Sequence, residues 1–368
     1  MNHFFFDKDN CLVQISNSIL KHFTNESFHS TSKQLDEVFA QKQYDKVCLI
    51  LLDGYGKSIR ELHLNEKDFL RRKTKFSITS VFPPTTVAAT TAVISGRYPV
   101  ETGWLGWRQY FKNHNVVVDM FTNCDSVTFE KIPGPSLANT YCPYTPIWDL
   151  IKAKGITASP LYPYPIDQNG PKDINEYFQK ANLLMKESGP HFYYMYFSEP
   201  DSSMHEFGTK DIRVHRLCKD LNNRIHELAK NNKDNLIIVL SDHSMTDTEY
   251  FYLYEHDEFA NMVERIYGLD ARTCAFYVKP EYLSKFKETF IKYYGDDKFV
   301  IKSKEEVIKE KWFGEGTPHP LFESFIGDYL VTSISKYGFT YELDYSLRGN
   351  HAGSLEEESI IDVSIINE

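Results

Sequence analysis

A chain of 368 residues with 42% hydrophobic and 25% charged residues, 18 glycines and 16 prolines has the make-up of an ordinary globular protein with a sizeable core, and excludes disordered, collagen-like and repeat-built chains. Its 41 basic against 51 acidic residues leave a net charge of −10, so no global basic field exists to hold a phosphate backbone, and bulk nucleic-acid binding is not expected. Six scattered cysteines with no CxxC pair argue against both a disulfide framework and a thiolate zinc site.

At the N-terminus, the aromatic run Phe4-Phe5-Phe6 has no basic region before it and is too short for a signal-peptide core, so a cytoplasmic location is expected. The first strand signal is the apolar run 47–52, which ends in Asp53. Gly54-Tyr55-Gly56-Lys57-Ser58 follows it but is not a phosphate-binding loop, because Leu51 stands where that motif needs its first glycine. A helical pattern over 58–72 closes on Arg71-Arg72-Lys73, which reads as a solvated helix end. Pro83 and Pro84, then Thr85 or Thr86, then an Ala-rich stretch to Gly96, predict a helix beginning at one of the two threonines. Beyond it lie Trp104, Trp107 and Tyr110, candidates for a stacking wall, although core packing is the commoner role for such residues.

Further apolar runs at 116–118, 156–161, 192–197 and 236–240 alternate with helical patterns at 145–154, 172–187 and 209–232. This alternation predicts an α/β fold, a three-layer sandwich with a mostly parallel central sheet covered by helices on both faces. Roughly 251–325 reads as a smaller α+β insert, with 1–250 and 326–368 forming the core and a last strand near 360–366. No apolar run approaches the ~20 residues needed to span a bilayer.

Three apolar runs end in carboxylates, Asp53, Asp201 and Asp242, and strand ends of open α/β sheets are where ligands bind. Two of these acids carry histidines, as Asp201-x-x-x-His205 and Asp242-His243, and a small-residue turn, Gly349-Asn350-His351-Ala352-Gly353, presents a third. Carboxylate oxygen with imidazole nitrogen and no thiolate suits Zn²⁺ first and Mn²⁺ next. The start of the helix after Pro84 offers free N–H groups to a phosphate, and a threonine hydroxyl there needs a base or metal to become a nucleophile.

Taken in order, Asp53-Gly54, Pro83-x-x-Thr86 with Ser95-Gly96-Arg97-Tyr98-Pro99, Glu199-Pro200-Asp201-x-x-x-His205, Ser241-Asp242-His243-Ser244-Met245 and Gly349-Asn350-His351-Ala352-Gly353 resemble the alkaline phosphatase superfamily. Within it the chain is similar to the nucleotide pyrophosphatase/phosphodiesterase branch, over about residues 47–355. The resemblance implies one zinc on Asp201, His205 and His351, a second on Asp53, Asp242 and His243, and Thr86 as nucleophile, with Thr85 the neighbouring alternative. It further implies a small phosphoester substrate, nucleotides included, and a phosphothreonine intermediate. One departure stands out: Val87-Ala88-Ala89 follows Thr86 where that branch usually has Phe-Pro-Asn, so a donor to the phosphate oxygen comes from elsewhere, Thr90 or a backbone N–H being candidates. The alternatives are a phosphomonoesterase or phosphonate hydrolase on the same metals and, from another class, a metal-binding protein without turnover. The sulfatase signature is absent, as is the G-x-S-x-G elbow of α/β hydrolases.

Overall fold

The computed structural model describes residues 6–367, so Phe4 and Phe5 of the N-terminal aromatic run lie outside the described residues. The main sheet contains β1 (Lys46–Leu52), β2 (Thr74–Thr79), β3 (Thr157–Leu161), β4 (His191–Phe197), β5 (Leu236–Leu240) and β6 (Ile360–Ile366), in the spatial order β2-β6-β5-β1-β4-β3. Four strands, β5-β1-β4-β3, pair in parallel. The sheet as a whole is mixed, because β6 runs antiparallel to both β5 and β2. The expectation of a mostly parallel sheet therefore holds for one side only; apolar composition marks a strand as buried and carries no sign of its direction.

Both faces of β1 are buried, as its unbroken apolar run requires. Val47, Leu49 and Leu51 pack with α1 (Leu12–Thr24), α2 (Thr86–Ser95) and the helix Ile147–Ala153. Cys48, Ile50 and Leu52 pack on the other side, with the helices Lys57–His63, Ile174–Leu184 and Ile212–Asn231. Each such fully buried aliphatic side chain contributes about 1.5–3 kcal/mol. The basic cluster closes the helix Phe69–Lys73, and Arg71 pairs with Glu61 at 3.0 Å. Five of the six cysteines are buried, and all six are free thiols.

A second sheet of seven short antiparallel strands covers the chain's other half. It takes Gly268–Leu269, Thr273–Phe276 and Phe299–Ser303 from the 251–325 segment, but also Arg108–Phe111, Val116–Asp119, Cys124–Asp125 and Tyr329–Ser333. The strand signal at 116–118 thus belongs to this sheet, and the sheet is not confined to 251–325. Two-residue strands such as Gly268–Leu269 carry no readable periodicity, and their pairing is set by tertiary contacts. The buried Arg272 ties this sheet to the approach to β6: its Nε and Nη2 each donate to Glu358 at 2.7 Å. Removing either partner would strand the other charge, at a cost of about 3–5 kcal/mol. Glu358 also accepts from the Gly353 N–H at 3.0 Å, which fixes the turn that carries His351.

Candidate active site

Because β5, β1 and β4 are adjacent and parallel, their carboxyl ends share one edge of the sheet, and Asp242, Asp53 and Asp201 follow them there. The Asp201 N–H donates to the Asp53 carbonyl at 3.1 Å, stitching two of these ends together. Gly54 makes the approach possible: it sits at φ +69°, and a Cβ there would lie 3.0 Å from the Asp201 Cβ. Asp201 opens α3 (Asp201–Phe207), so His205 stands one turn on, on the same face, with Nε2 3.3 Å from Asp201 Oδ2.

His351 arrives from the far end of the chain. Gly349 and Asn350 pair antiparallel with Asp247 and Thr246, and a Cβ on Gly349 would lie 2.7 Å from the Met204 carbonyl, so only glycine lets this turn close on α3. The next residue, Ala352, holds a positive φ of 76° and is secured by its N–H to the Pro84 carbonyl at 2.9 Å. His351 Nε2 lies 3.9 Å from Asp201 Oδ1, and its ring stacks on His243 with centroids 3.9 Å apart.

α2 begins at Thr86, with Thr85 as its extended N-cap residue and Gly96 as its left-handed C-cap. It is anchored from α1, where Ser16 and Asn17 donate to the carbonyls of Val93 and Gly96, each at 2.8 Å. The Thr86 hydroxyl faces His243 Nε2 at 3.1 Å and Asp53 Oδ1 at 3.4 Å. Thr85 points elsewhere, donating to Asp270 Oδ1 at 3.3 Å. The two threonines are therefore distinguished by geometry, and only Thr86 meets the acid and histidine cluster. The N–H groups of the first turn of α2 have no intrahelical acceptor and lie beside this hydroxyl.

Two groups of side chains converge closely enough to hold a metal ion: Asp201, His205 and His351, and Asp53, Asp201 and His243. Asp201 belongs to both. Asp242 adjoins the second group, its Oδ2 3.5 Å from His243 Nε2, while its Oδ1 accepts the N–H groups of Gly54 and His243 at 3.1 and 3.0 Å. Asp53 Oδ2 accepts from the Tyr196 hydroxyl, a contact hidden in the sequence because Tyr196 lies within the aromatic run of β4.

The electrostatics are those of crowded anions. Burial, then the charges of Asp242 and Asp201, push the Asp53 carboxyl well up. Burial also acts to raise Asp201, but His205, with His351 and His243, outweighs it and holds that carboxyl well below the usual range. His351 is driven well down by burial and by His243. Among the described residues, no lysine or arginine pairs with Asp53, Asp201 or Asp242.

The remaining candidates lie apart from this cluster. Thr90 donates its hydroxyl proton to the Thr86 carbonyl at 2.6 Å, leaving none for a phosphate oxygen. Trp104 is buried, its indole N–H on the Cys142 carbonyl at 2.8 Å and its ring against Phe121 and Tyr144, so it serves the core and not a stacking wall. Trp107 is half-buried and meets Phe121 edge-on; Tyr110 packs on Tyr277.

A residue that sequence reasoning passed over, Asp270, sits beside the site, accepting from Thr85 and, at 3.4 Å, from the Trp107 N–H. Burial pushes its carboxyl up to about 6, against the opposing charge of Arg108. A folded-state pKa above the unfolded value near 3.9 contributes stability that is present below about pH 4 and lost as pH rises through 6. Asp270→Asn is therefore expected to gain stability relative to the parent on going from pH 4 to pH 8, by on the order of 2 kcal/mol in urea unfolding of the metal-free protein. A difference that does not change with pH would remove burial of the charge as the cause.

Comparison with known proteins gives a family and a fold. The family model of type I phosphodiesterase / nucleotide pyrophosphatase matches residues 47–354. No curated protein matches the chain. Among solved structures, murine ectonucleotide pyrophosphatase / phosphodiesterase 5, as an inactive variant in complex with AMP, is similar at 18% identity and a TM-score of 0.63, covering 87% of each chain. The human counterpart is similar at 16% identity and a TM-score of 0.64, again covering 87% of each chain. At these identities the likeness shows a shared fold.

Proposed function

The chain belongs to the type I phosphodiesterase / nucleotide pyrophosphatase family, in the alkaline phosphatase superfamily, and on that premise we propose that it is a two-metal phosphodiesterase or nucleotide pyrophosphatase working through Thr86. The observation that carries the reading is the Thr86 hydroxyl, set at the start of the ten-residue α2 and within 3.4 Å of both Asp53 and His243. The AMP bound by the murine relative supports a nucleotide-containing substrate.

The residues fit divalent cations on their own chemistry. Asp201 Oδ1 and Asp242 Oδ2 are buried without a hydrogen-bond partner. His205 and His243 turn Nδ1 to the carbonyls of Gly349 and Ser244, at 2.8 and 2.9 Å. A carbonyl can only accept, so each Nδ1 carries a proton, which leaves Nε2, the atom that faces the carboxylates, as the one to take a metal. Three buried carboxylates close together call for cations between them. Asp201, His205 and His351 would hold one ion, and Asp53, Asp242 and His243 the other, with Asp201 placed to serve both; the donor set suits Zn²⁺ and accommodates Mn²⁺. Bound there, the ions would make the threonine hydroxyl more acidic and neutralise charge on the phosphoryl oxygens.

The chain's own groups do the rest. Thr86 Oγ1 forms the bond to phosphorus as the bond to the leaving oxygen breaks, the hydroxyl proton passing by way of solvent to the departing oxygen; water then attacks the phosphothreonine, breaking its bond to Oγ1, which takes back a proton. The first-turn N–H groups of α2 stabilise the non-bridging oxygens, replacing a side-chain donor. Tyr196 holds the Asp53 carboxylate in place. A phosphomonoesterase is the second reading, favoured by Val87-Ala88-Ala89, three buried residues that supply no polar side chain beside Thr86. Parallel turnover of bis-p-nitrophenyl phosphate and p-nitrophenyl phosphate, with and without chelator, separates the two. The proposal expects chelator-sensitive cleavage with the diester preferred; a monoester preference would move the chain to the second reading.

A further inference from the structure

The ion pair that joins the two sheets stands directly behind the turn that carries His351. Arg272 precedes the strand Thr273–Phe276, Glu358 lies just before β6, and both side chains are fully buried. Besides its two bonds to Glu358, the guanidinium donates from Nη1 to the Tyr337 carbonyl at 3.0 Å and from Nη2 to the Ser335 carbonyl at 2.7 Å. The planar fork is thus fixed from behind, and it fixes the carboxylate in front of it.

Stability alone gives no reason for such a pair, since apolar side chains of similar volume often serve it as well or better. What an apolar pair could not do is accept hydrogen bonds. Glu358 Oε1 takes the Gly353 N–H at 3.0 Å and Oε2 takes the Leu355 N–H at 3.4 Å, so the carboxylate grips the turn on both sides of Ser354. Gly353 packs so closely that a Cβ on it would lie 2.6 Å from Oε2 and 2.8 Å from Arg272 Nη2. Between this grip and His351 stands only Ala352, at a φ of 76°, a conformation that alanine keeps when its surroundings impose it.

Glu358 reaches the other ligand group by its backbone. Its carbonyl accepts the Ser244 N–H at 2.8 Å, and the Ser244 carbonyl accepts from His243 Nδ1. That link does not depend on the Glu358 side chain, so the carboxylate bears on the His351 side and the main-chain carbonyl on the His243 side.

We propose that Arg272 and Glu358 are positioning residues, whose ion pair holds the turn 351–355 so that His351 meets Asp201 and His205, and thereby sets the affinity of that one metal position. Neither belongs to the six ligand candidates. The inference rests on the two-metal reading above and adds what keeps one of the two positions in shape.

The test titrates metal-free protein with cobalt(II), whose visible absorption reports each occupied position, and uses His351→Ala to identify the signal that depends on that histidine. Removing both charges avoids a stranded ion, so Arg272→Met/Glu358→Gln and Arg272→Met/Glu358→Leu are compared with wild type, their stability followed by urea unfolding. The glutamine variant keeps a carbonyl oxygen for the Gly353 N–H and the leucine variant does not. In the leucine variant, cobalt is expected to bind the His351 position about 10- to 100-fold more weakly while the other position stays within about threefold of wild type, and the glutamine variant should recover most of the loss. Arg272→Lys keeps the charge without the fork and should weaken the same position several-fold. Unchanged affinity at the His351 position in the leucine variant, or in Arg272→Lys if the leucine variant does not fold, would overturn the assignment. Equal weakening at both positions would also overturn it, because a loss of stability alone acts on both. Wild-type protein that takes up fewer than two cobalt ions would overturn the two-metal reading and this inference with it, a result that is seen before any variant is made.

Discussion

Thr86→Ala is expected to lower kcat for diester cleavage by about 10⁴-fold while leaving the fold and the bound metal in place. Among the described residues this hydroxyl is the one that faces both Asp53 and His243, and it is partly exposed where the acids around it are buried. The helix that carries it does not depend on it, because α2 is held from α1 and by its own buried face. Thr85→Ala is the matched control. It loses a hydrogen bond to Asp270, costing about 1 kcal/mol of stability, and should keep its turnover within a few-fold. Full activity in Thr86→Ala with loss in Thr85→Ala would move the nucleophile by one residue.

Much of this site could be read in the sequence, for a physical reason. A strand buried on both faces is an unbroken apolar run, so an aspartate within a few residues of its end lies at the sheet edge where ligands bind; Asp53, Asp201 and Asp242 each follow such a run, Asp201 with Glu199 before it. The i, i+4 spacing placed Asp201 and His205 on one helical face. The other parts left no such trace. Tyr196 reads as one more core aromatic, and its hydroxyl is only meaningful once β4 lies beside β1. Asp270 follows a two-residue strand, Gly268–Leu269, whose pairing with Arg108 is too short to show a period. The same short strands hid the second sheet's reach back to residues 108–125. The antiparallel direction of β6 was equally hidden, since an apolar strand carries no sign of its direction.

The second large effect concerns Asp201. Its Oδ2 lies 3.3 Å from His205 Nε2, and its Oδ1 is buried, without a hydrogen bond, 3.9 Å from His351 Nε2. It is also the member common to both ligand groups. Asp201→Asn keeps the size of the side chain but removes the charge, and is expected to reduce metal content at both positions and lower diester turnover by at least about 10²-fold. His351→Ala, by contrast, should deplete one position. Equal metal loss in the two variants would show that the positions are not separately held, whereas an Asp201→Asn protein with full metal content would exclude a shared role for this carboxylate.

The central claim is that six acids and histidines, gathered from three strand ends and one distant turn, hold two divalent ions beside Thr86. Elemental analysis of the purified protein, made together with bis-p-nitrophenyl phosphate turnover before and after chelation, addresses it most directly. The account expects about two zinc or manganese ions per chain, activity lost on chelation, and activity restored when the metal is returned. Turnover that persists after all metal has been stripped, or a folded protein that binds none at neutral pH, would contradict it.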